Sequence, residues 1–133
     1  MMSEKISISI PRELLNELEQ FMDEKKSGDR SKIIQLALKN FLDENKESDE
    51  LVYGVISVVY DFEVAETDFT RVQHEYAEVI MSNSHVHVSH KECMEAIFVR
   101  GKRSEIVRLV KELNRIKGIK KVKPTFSYIE QDA

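Results

Sequence analysis

The amino-acid sequence predicts an α+β protein with an N-terminal βαα unit and a C-terminal βαββαβ unit. Residues 5–10 alternate polar residues with isoleucines, which is the period of a half-buried strand. Two helical apolar stripes follow directly. Beyond the charged residues 44–49, four strand patterns and two helix patterns complete the chain. Because such a polar segment is typical of a hinge between domains, we place the domains at residues 1–48 and 49–133.

The composition is that of an ordinary globular protein, with 41% hydrophobic and 33% charged residues. No apolar run approaches the roughly 20 residues that span a bilayer, and the start is too polar for a signal peptide, so we expect no membrane association. A single cysteine cannot form an internal disulfide, which favours a cytoplasmic protein. The net charge of −4 argues against a generally basic nucleic-acid binder, although it leaves room for a local basic face.

The N-terminal unit cannot close a core by itself. It has one strand pattern, and no second one follows within about 40 residues. A lone strand leaves its backbone N–H and C=O groups unpaired, so we expect a second copy of the chain to supply the partner strand. The two helical stripes that would form the shared core are Leu14, Leu15, Leu18, Phe21 and Met22, then Ile33, Ile34, Ala37, Leu38, Phe41 and Leu42.

The C-terminal unit has the element order of a ferredoxin-like fold. Strand patterns cover residues 52–60, a segment with two histidines, residues 93–100 and residues 119–129. Helix patterns cover residues 63–81 and 104–117, with Gly118 as the expected stop. Helices cover one face of such a sheet. We expect the other face to carry the histidines and to pack against another subunit.

Three of the four histidines and the only cysteine lie within residues 84–93. Val86 and Val88 alternate with His85 and His87, so a strand here would direct the valines to a core and both imidazoles to the opposite face. A hairpin would return Cys93 beside them. Imidazole and thiolate suit nickel, copper, zinc and iron. The alternative is that the two histidines merely lie on a solvated strand face.

The N-terminal residues resemble the ribbon-helix-helix DNA-binding family, in which two strands form an antiparallel ribbon in the major groove. The resemblance lies in the alternating residues 5–10, in the helix start after Pro11, and in the Arg30–Ser31 pair. It implies that Lys5, Ser7 and Ser9 face base edges of operator DNA. It also implies that the start of the second helix, with Arg30 and Ser31, meets phosphate.

The whole chain resembles the nickel-responsive transcriptional regulators, whose C-terminal domain is ACT-like. The motif is His-x-His-x5-Cys with a histidine eleven residues upstream. The resemblance implies that His85, His87 and Cys93 bind one Ni(II) per subunit in a plane. It implies that His74 of a neighbouring subunit completes each site, within a homotetramer that is a dimer of dimers. Residues close to the ligands would be Tyr60, Glu95 and His90.

Two groups of residues depart from the family pattern. Lys32 and Leu36 stand where the family usually carries acidic residues, so an accessory site for a hard cation is not expected. Lys5, Ser7 and Ser9 replace an arginine and threonines, so the operator sequence is expected to differ.

The function expected from these residues is a nickel-responsive transcriptional repressor, in which metal binding at the tetramer interface promotes operator binding. An alternative is a ribbon-helix-helix regulator whose C-terminal domain senses a small molecule such as an amino acid. A metalloenzyme is a third class. A four-ligand planar site leaves no open position beside a general base, so we assign no catalytic residue. Irving–Williams affinities rank Cu(II) above Ni(II), so nickel follows from the resemblance alone.

Assembly gives the first prediction. The strand at residues 5–10 needs a partner and the open sheet face needs cover, so we expect a homotetramer at micromolar concentration. Static light scattering of the purified protein measures its mass. A stable monomer would contradict both arguments at once.

Overall fold

The computed structural model describes residues 2–25 and 29–128, which contain four helices and four strands. The elements are α1 Arg12–Lys25, α2 Arg30–Asn45, β1 Leu51–Asp61, α3 Phe62–Glu75, β2 Ile80–His87, β3 Glu92–Lys102, α4 Arg103–Asn114 and β4 Ile119–Tyr128. Their contacts divide the chain into two compact units, Met1–Phe41 and Leu42–Ala133. The domain boundary after residue 48 stays a prediction.

The N-terminal unit holds two helices that bury none of their residues. Asp29 caps α2, since its carboxylate accepts a hydrogen bond of 2.7 Å from the backbone N–H of Lys32. Residues 2–10 form no helix or strand in the single chain, and Ile6 is 79% exposed. A strand needs a partner to satisfy its backbone, so the ribbon and the dimer stay predictions.

The C-terminal unit is a four-stranded sheet in the order β2-β3-β1-β4, and all neighbouring strands are antiparallel. The predicted βαββαβ order is therefore present. β1 and β3 pair without interruption from Leu51 opposite Lys102 to Asp61 opposite Glu92. The core includes Val52, Ile56, Val58, Tyr60, Ala65, Phe69, Val72, Val79, Cys93, Ile97, Val99, Ile106, Leu109, Leu113 and Ile116.

Two helices end earlier than the sequence predicted. α3 ends at Glu75 rather than near residue 81, because Ile80 already pairs with Val99 in the sheet. α4 ends at Asn114, and the chain turns before Gly118, which has a φ of 93°. A Cβ at that position would lie 2.9 Å from the Cβ of Val64, so only glycine fits there. The predicted last residue of the fourth strand, Ile129, lies outside the described residues.

The predicted orientation of the histidine strand is wrong. His87 pairs directly with Cys93, and His85 pairs with Glu95, so these four side chains share one face. Cys93 and Glu95 are buried. They lie on the helix-covered side of the sheet, as do the buried residues Ile97 and Val99 of the same strand. The valines therefore lie on the open face, where Val86 is 58% exposed. The physical reason is that β2 is an edge strand, so its apolar residues need not enter the core.

The open face of the sheet remains partly apolar, as the two-sided apolar pattern of β1 predicted. Exposed side chains on this face include Tyr53, Val86, Met94 and Phe98, each between 40% and 58% exposed. Its cover by another subunit stays a prediction. Among the described residues, no helix combines the length and the apolarity that crossing a bilayer requires.

Candidate metal centre

The candidate centre is built around a thiol and an imidazole at the end of the β2–β3 hairpin. Cys93 Sγ lies 3.2 Å from His87 Nδ1. The hairpin closes through hydrogen bonds from the backbone N–H groups of Val88 and Ser89 to the carbonyl of Glu92. This turn sets the register in which Cys93 lies opposite His87. The predicted return of Cys93 to the histidines is therefore present.

The spacing of these two atoms fits adjacent ligands of one metal ion. Metal–nitrogen and metal–sulfur distances of about 2.1 and 2.3 Å give a separation of roughly 3.1 Å for ligands at a right angle. A tetrahedral angle gives about 3.6 Å from the same distances. The observed 3.2 Å lies within the range that these two geometries span. Cys93 is fully buried while His87 is exposed, so an ion held here would lie on the solvent side of the thiol.

His85 lies on the same face as His87, two residues earlier on β2. The two imidazole rings meet edge to face, with centroids 5.7 Å apart. His85 is exposed and lies opposite Glu95. The period of the strand therefore places both imidazoles side by side, as the sequence predicted, although on the face opposite to the predicted one.

His74 lies in the last turn of α3 and is exposed. It lines a cavity of about 500 Å³ between α3 and the β2–β3 edge, and His85 lines the same cavity. Across residues 2–25 and 29–128, no three His, Cys, Asp or Glu side chains are grouped so that they could hold a metal ion. Of the four predicted ligands, the described residues bring His87 within hydrogen-bond distance of Cys93 and place the ring of His85 against that of His87. The complete ligand set stays a prediction.

A buried carboxylate lies beside the candidate ligands. Glu95 is 5% exposed and accepts three hydrogen bonds, from the Tyr60 hydroxyl at 3.2 Å, the Gln73 amide at 3.0 Å and the Asn83 amide at 2.9 Å. Burial, and then the negative charge of Glu95, raise the pKa of Tyr60, so its hydroxyl remains a donor. This network joins β1, α3, β2 and β3 at one point.

Gln73 and Asn83 are members of this network that the sequence analysis missed. Asn83 precedes His85 by two residues, so the strand period places it on the histidine face. That signal was present in the sequence. Gln73 neighbours His74 on α3, but nothing in the local sequence distinguishes it from an exposed helical glutamine.

The other predicted functional residues are not tested by the single chain. Lys5, Ser7 and Ser9 are exposed within residues 2–10. At the start of α2, Arg30 lies 3.9 Å from Glu19, and the Ser31 hydroxyl accepts a hydrogen bond from Gln35. His90 is exposed in the turn between β2 and β3. Their roles stay predictions.

Comparison with known proteins defines the class of this chain. Residues 53–127 match a family model described as the NikR C-terminal nickel-binding domain. A protein of Saccharolobus islandicus (strain L.S.2.15 / Lassen #1), named "Putative nickel-responsive regulator", is 49% identical over 128 residues, which cover 96% of both chains. A protein of the same name from Methanococcus maripaludis (strain C5 / ATCC BAA-1333) is 35% identical, covering 92% of this chain and 90% of the relative. The chain therefore belongs to the nickel-responsive regulators, a family of transcription factors and not of enzymes.

The fold has a counterpart among solved structures. An uncharacterized protein from Thermotoga maritima superimposes with a TM-score of 0.54, covering 58% of this chain and 98% of that one. The sequences are 19% identical, so this likeness concerns the fold alone.

Glu95→Gln tests the buried network. An amide in place of the carboxylate has one acceptor oxygen, and its NH2 group would face donors, so at least one of the three donors loses its partner. We expect the free energy of unfolding of the metal-free protein to fall by about 1–3 kcal/mol. Urea denaturation at one fixed protein concentration measures it.

Glu92→Gln is the matched control on the same strand. Glu92 forms an ion pair with Lys120 at 2.9 Å, and its side chain is 31% exposed. A surface pair of this kind contributes at most about 1 kcal/mol. Equal losses in the two variants would show that the Glu95 network does not stabilise the fold specifically.

Proposed function

We propose that this nickel-responsive regulator is a DNA-binding repressor in which Ni(II) binding at the tetramer interface promotes operator binding. The observation that carries the proposal is the 3.2 Å contact between Cys93 and His87 in a chain of the nickel-responsive family. The proposed ligands are His85, His87 and Cys93 of one subunit and His74 of a neighbour, with one Ni(II) per subunit. A nickel ion in this set would be held by three imidazoles and one thiolate.

The donor chemistry supports a late transition metal. Three imidazoles and a thiolate form a set that suits Ni(II) or Cu(II) in a plane and Zn(II) in a tetrahedron. The 3.2 Å spacing of His87 and Cys93 would allow both side chains to bind one such ion. Family membership favours nickel over copper.

Glu95 is the proposed positioning group beside the ligands. It holds Gln73, the residue before His74, and Asn83, two residues before His85. Tyr60 donates to the same carboxylate from β1. By holding these neighbours of the proposed ligands, Glu95 would orient His74 and His85 indirectly, and the orientation of its ligands tunes the affinity for a metal. We assign His90 a supporting or surface role and no metal bond.

The N-terminal unit is the proposed operator-binding unit. Its helices bury no residue in the single chain, and Phe41 and Leu36 are 62% and 60% exposed. A second copy would cover this apolar surface and pair the strands at residues 5–10 into a ribbon. The ribbon would present Lys5, Ser7 and Ser9 to bases, and the start of α2 would present Arg30 and Ser31 to phosphate.

Regulation follows from linkage between the two binding events. A ligand set divided between two subunits can form only in the assembly that brings His74 to its neighbour. Ligand binding therefore favours that assembly over other arrangements of the subunits. If the favoured assembly also binds the operator better, nickel and DNA strengthen each other's binding by the same factor.

The metal site is tested by substituting its ligands. Wild-type protein titrated with Ni(II) should develop a thiolate-to-metal charge-transfer absorption band, and Cys93→Ser should abolish it. His74→Ala should keep a three-ligand site but weaken nickel-dependent tetramer cohesion, measured by light scattering.

Nickel affinity should fall as the pH drops from 8 to 6, because protons compete for the imidazoles and the thiolate.

His90→Ala is the matched control for His74→Ala, since His90 is exposed and is not a proposed ligand. It should bind nickel and assemble as the wild type does. A His74→Ala protein that behaved like this control would contradict the shared site. A wild type that bound no transition metal would favour the small-molecule alternative.

The ribbon is tested by Lys5→Ala, Ser7→Ala and Ser9→Ala. Each lost base contact should reduce operator discrimination by about 1–3 kcal/mol while nickel affinity stays unchanged. Fluorescence anisotropy measures the ratio of affinities for an operator selected by the wild-type protein and for random DNA. Lys117→Ala, an exposed lysine of the C-terminal unit, is the control. An unchanged ratio in all three variants would show that the ribbon does not read bases.

A further inference from the structure

A fully buried arginine binds the segment that joins α2 to β1. Arg103, the first residue of α4, has no exposed surface. Its Nε donates a hydrogen bond of 2.6 Å to the backbone carbonyl of Lys46, and its Nη2 lies 3.8 Å from the Asp43 carboxylate. Its guanidinium carbon lies 4.1 Å from the centre of the Phe126 ring, within the range of a cation–π contact. One side chain thus links α2, the joining segment and β4.

The same segment also caps α4 through its backbone. The N–H groups of Arg103 and Ser104 donate to the carbonyls of Glu50 and Ser48, each at 2.9 Å. The first N–H groups of a helix have no partner within the helix, and Lys102 at the cap position provides no side-chain bond. Residues 46–50 therefore act as the cap that the sequence of α4 lacks.

One ion pair holds this segment to the C-terminal unit, and a second holds the last turn of α2. Lys111 on α4 binds Glu47 at 2.9 Å, and Lys123 on β4 binds Glu44. The hydrogen bond and positive charge of Lys111 lower the pKa of Glu47. Residues 44–49, which the sequence analysis treated as a hinge, are therefore fastened to the C-terminal unit at several points.

An arginine is an unusual choice for a fully buried position. Removing a guanidinium from water is costly, and apolar residues of similar volume often stabilise a core at least as well. Arg103 is held at this cost by partners that lie mainly in the joining segment and the last turn of α2. The side chain is thus suited to fastening that segment rather than to filling the core.

The fastening point and the candidate metal centre lie at opposite ends of one rigid element. β1 and β3 pair without interruption, with Leu51 opposite Lys102 at one end and Tyr60 opposite Cys93 near the other. The distance along this ladder is on the order of 30 Å. The residue that follows the Lys102 end is Arg103 itself.

We propose that Arg103 is a positioning residue that holds residues 43–50 against the C-terminal unit, and that this attachment is needed for nickel binding to strengthen DNA binding. A flexible tether would let the DNA-binding unit reorient independently of nickel. The coupling role rests on the proposed function, whereas the fastening of residues 44–50 stands independently of it.

The fastening is tested by tryptic cleavage after Lys46, whose carbonyl Arg103 holds. Arg103→Met removes the charge and every donor of the side chain. Arg103→Lys keeps the charge but loses the Nε donor and the planar contact with Phe126. Cleavage after Lys46, followed by mass spectrometry in the full-length protein, should accelerate about tenfold in both variants, as expected for the loss of a charge-assisted hydrogen bond. Circular dichroism confirms that each variant is folded.

Arg115→Met is the control, because Arg115 is a largely exposed arginine at the end of the same helix, with its side chain 75% exposed. It should be cleaved at the wild-type rate. If Arg103→Lys is folded like the wild type and is also cleaved at the wild-type rate, Arg103 does not hold this segment in place.

The coupling is tested with a DNA duplex that the nickel-loaded wild type selects from a random-sequence pool. In the wild type, Ni(II) should raise affinity for this duplex by a factor within the roughly 5–150-fold range of allosteric effects. In the Arg103 variants, the nickel-induced factor should fall about fivefold or more, towards one, with unchanged nickel affinity. Faster cleavage with an unchanged factor would leave Arg103 a purely structural residue and overturn the coupling. A wild type that selects no DNA would overturn the proposed function and the coupling together, while the cleavage result would still decide the fastening.

Discussion

The uninterrupted pairing of β1 with β3 is the constraint on which the C-terminal unit depends. It places Tyr60 opposite Cys93 and Val58 opposite Glu95, so the thiol and the carboxylate both enter the covered side of the sheet. β2 then takes its register from β3 and brings His87 to the thiol and His85 to the carboxylate. A shift of one residue in this register would move every one of these side chains to the other face. The candidate metal centre is therefore a consequence of strand register.

Two buried charged residues, Glu95 and Arg103, lie towards opposite ends of this ladder. Each is compensated by neighbours from several elements, because an isolated charge would not be stable in the interior. Glu95 collects donors from β1, α3 and β2 beside the candidate ligands. Arg103 holds the segment that leads from α2. Such polar contacts specify one arrangement of the elements, whereas apolar contacts alone tolerate several.

The N-terminal unit needs contacts that the single chain does not supply. Its alternating isoleucines and its two amphipathic helices indicated a strand whose partner lies outside the chain. The single chain leaves both helices without buried residues, which agrees with the need for a partner. The backbone of a strand and the apolar face of a helix are satisfied only by contacts, and here the chain alone does not supply them.

In the C-terminal unit, the sequence by itself determined the order of elements, the core positions of the helices and the grouping of His85, His87 and Cys93, since each follows from local period and spacing. It could not determine which face of β2 enters the core, because alternation defines two faces without saying which is covered. That choice depends on β2 being an edge strand that pairs with β3 alone. The roles of Gln73 and Arg103 were likewise decided by the tertiary structure. Gln73 and Glu95 are 22 residues apart along the chain, and Arg103 and Lys46 are 57 residues apart. Contacts over such separations leave no periodic signal in the sequence.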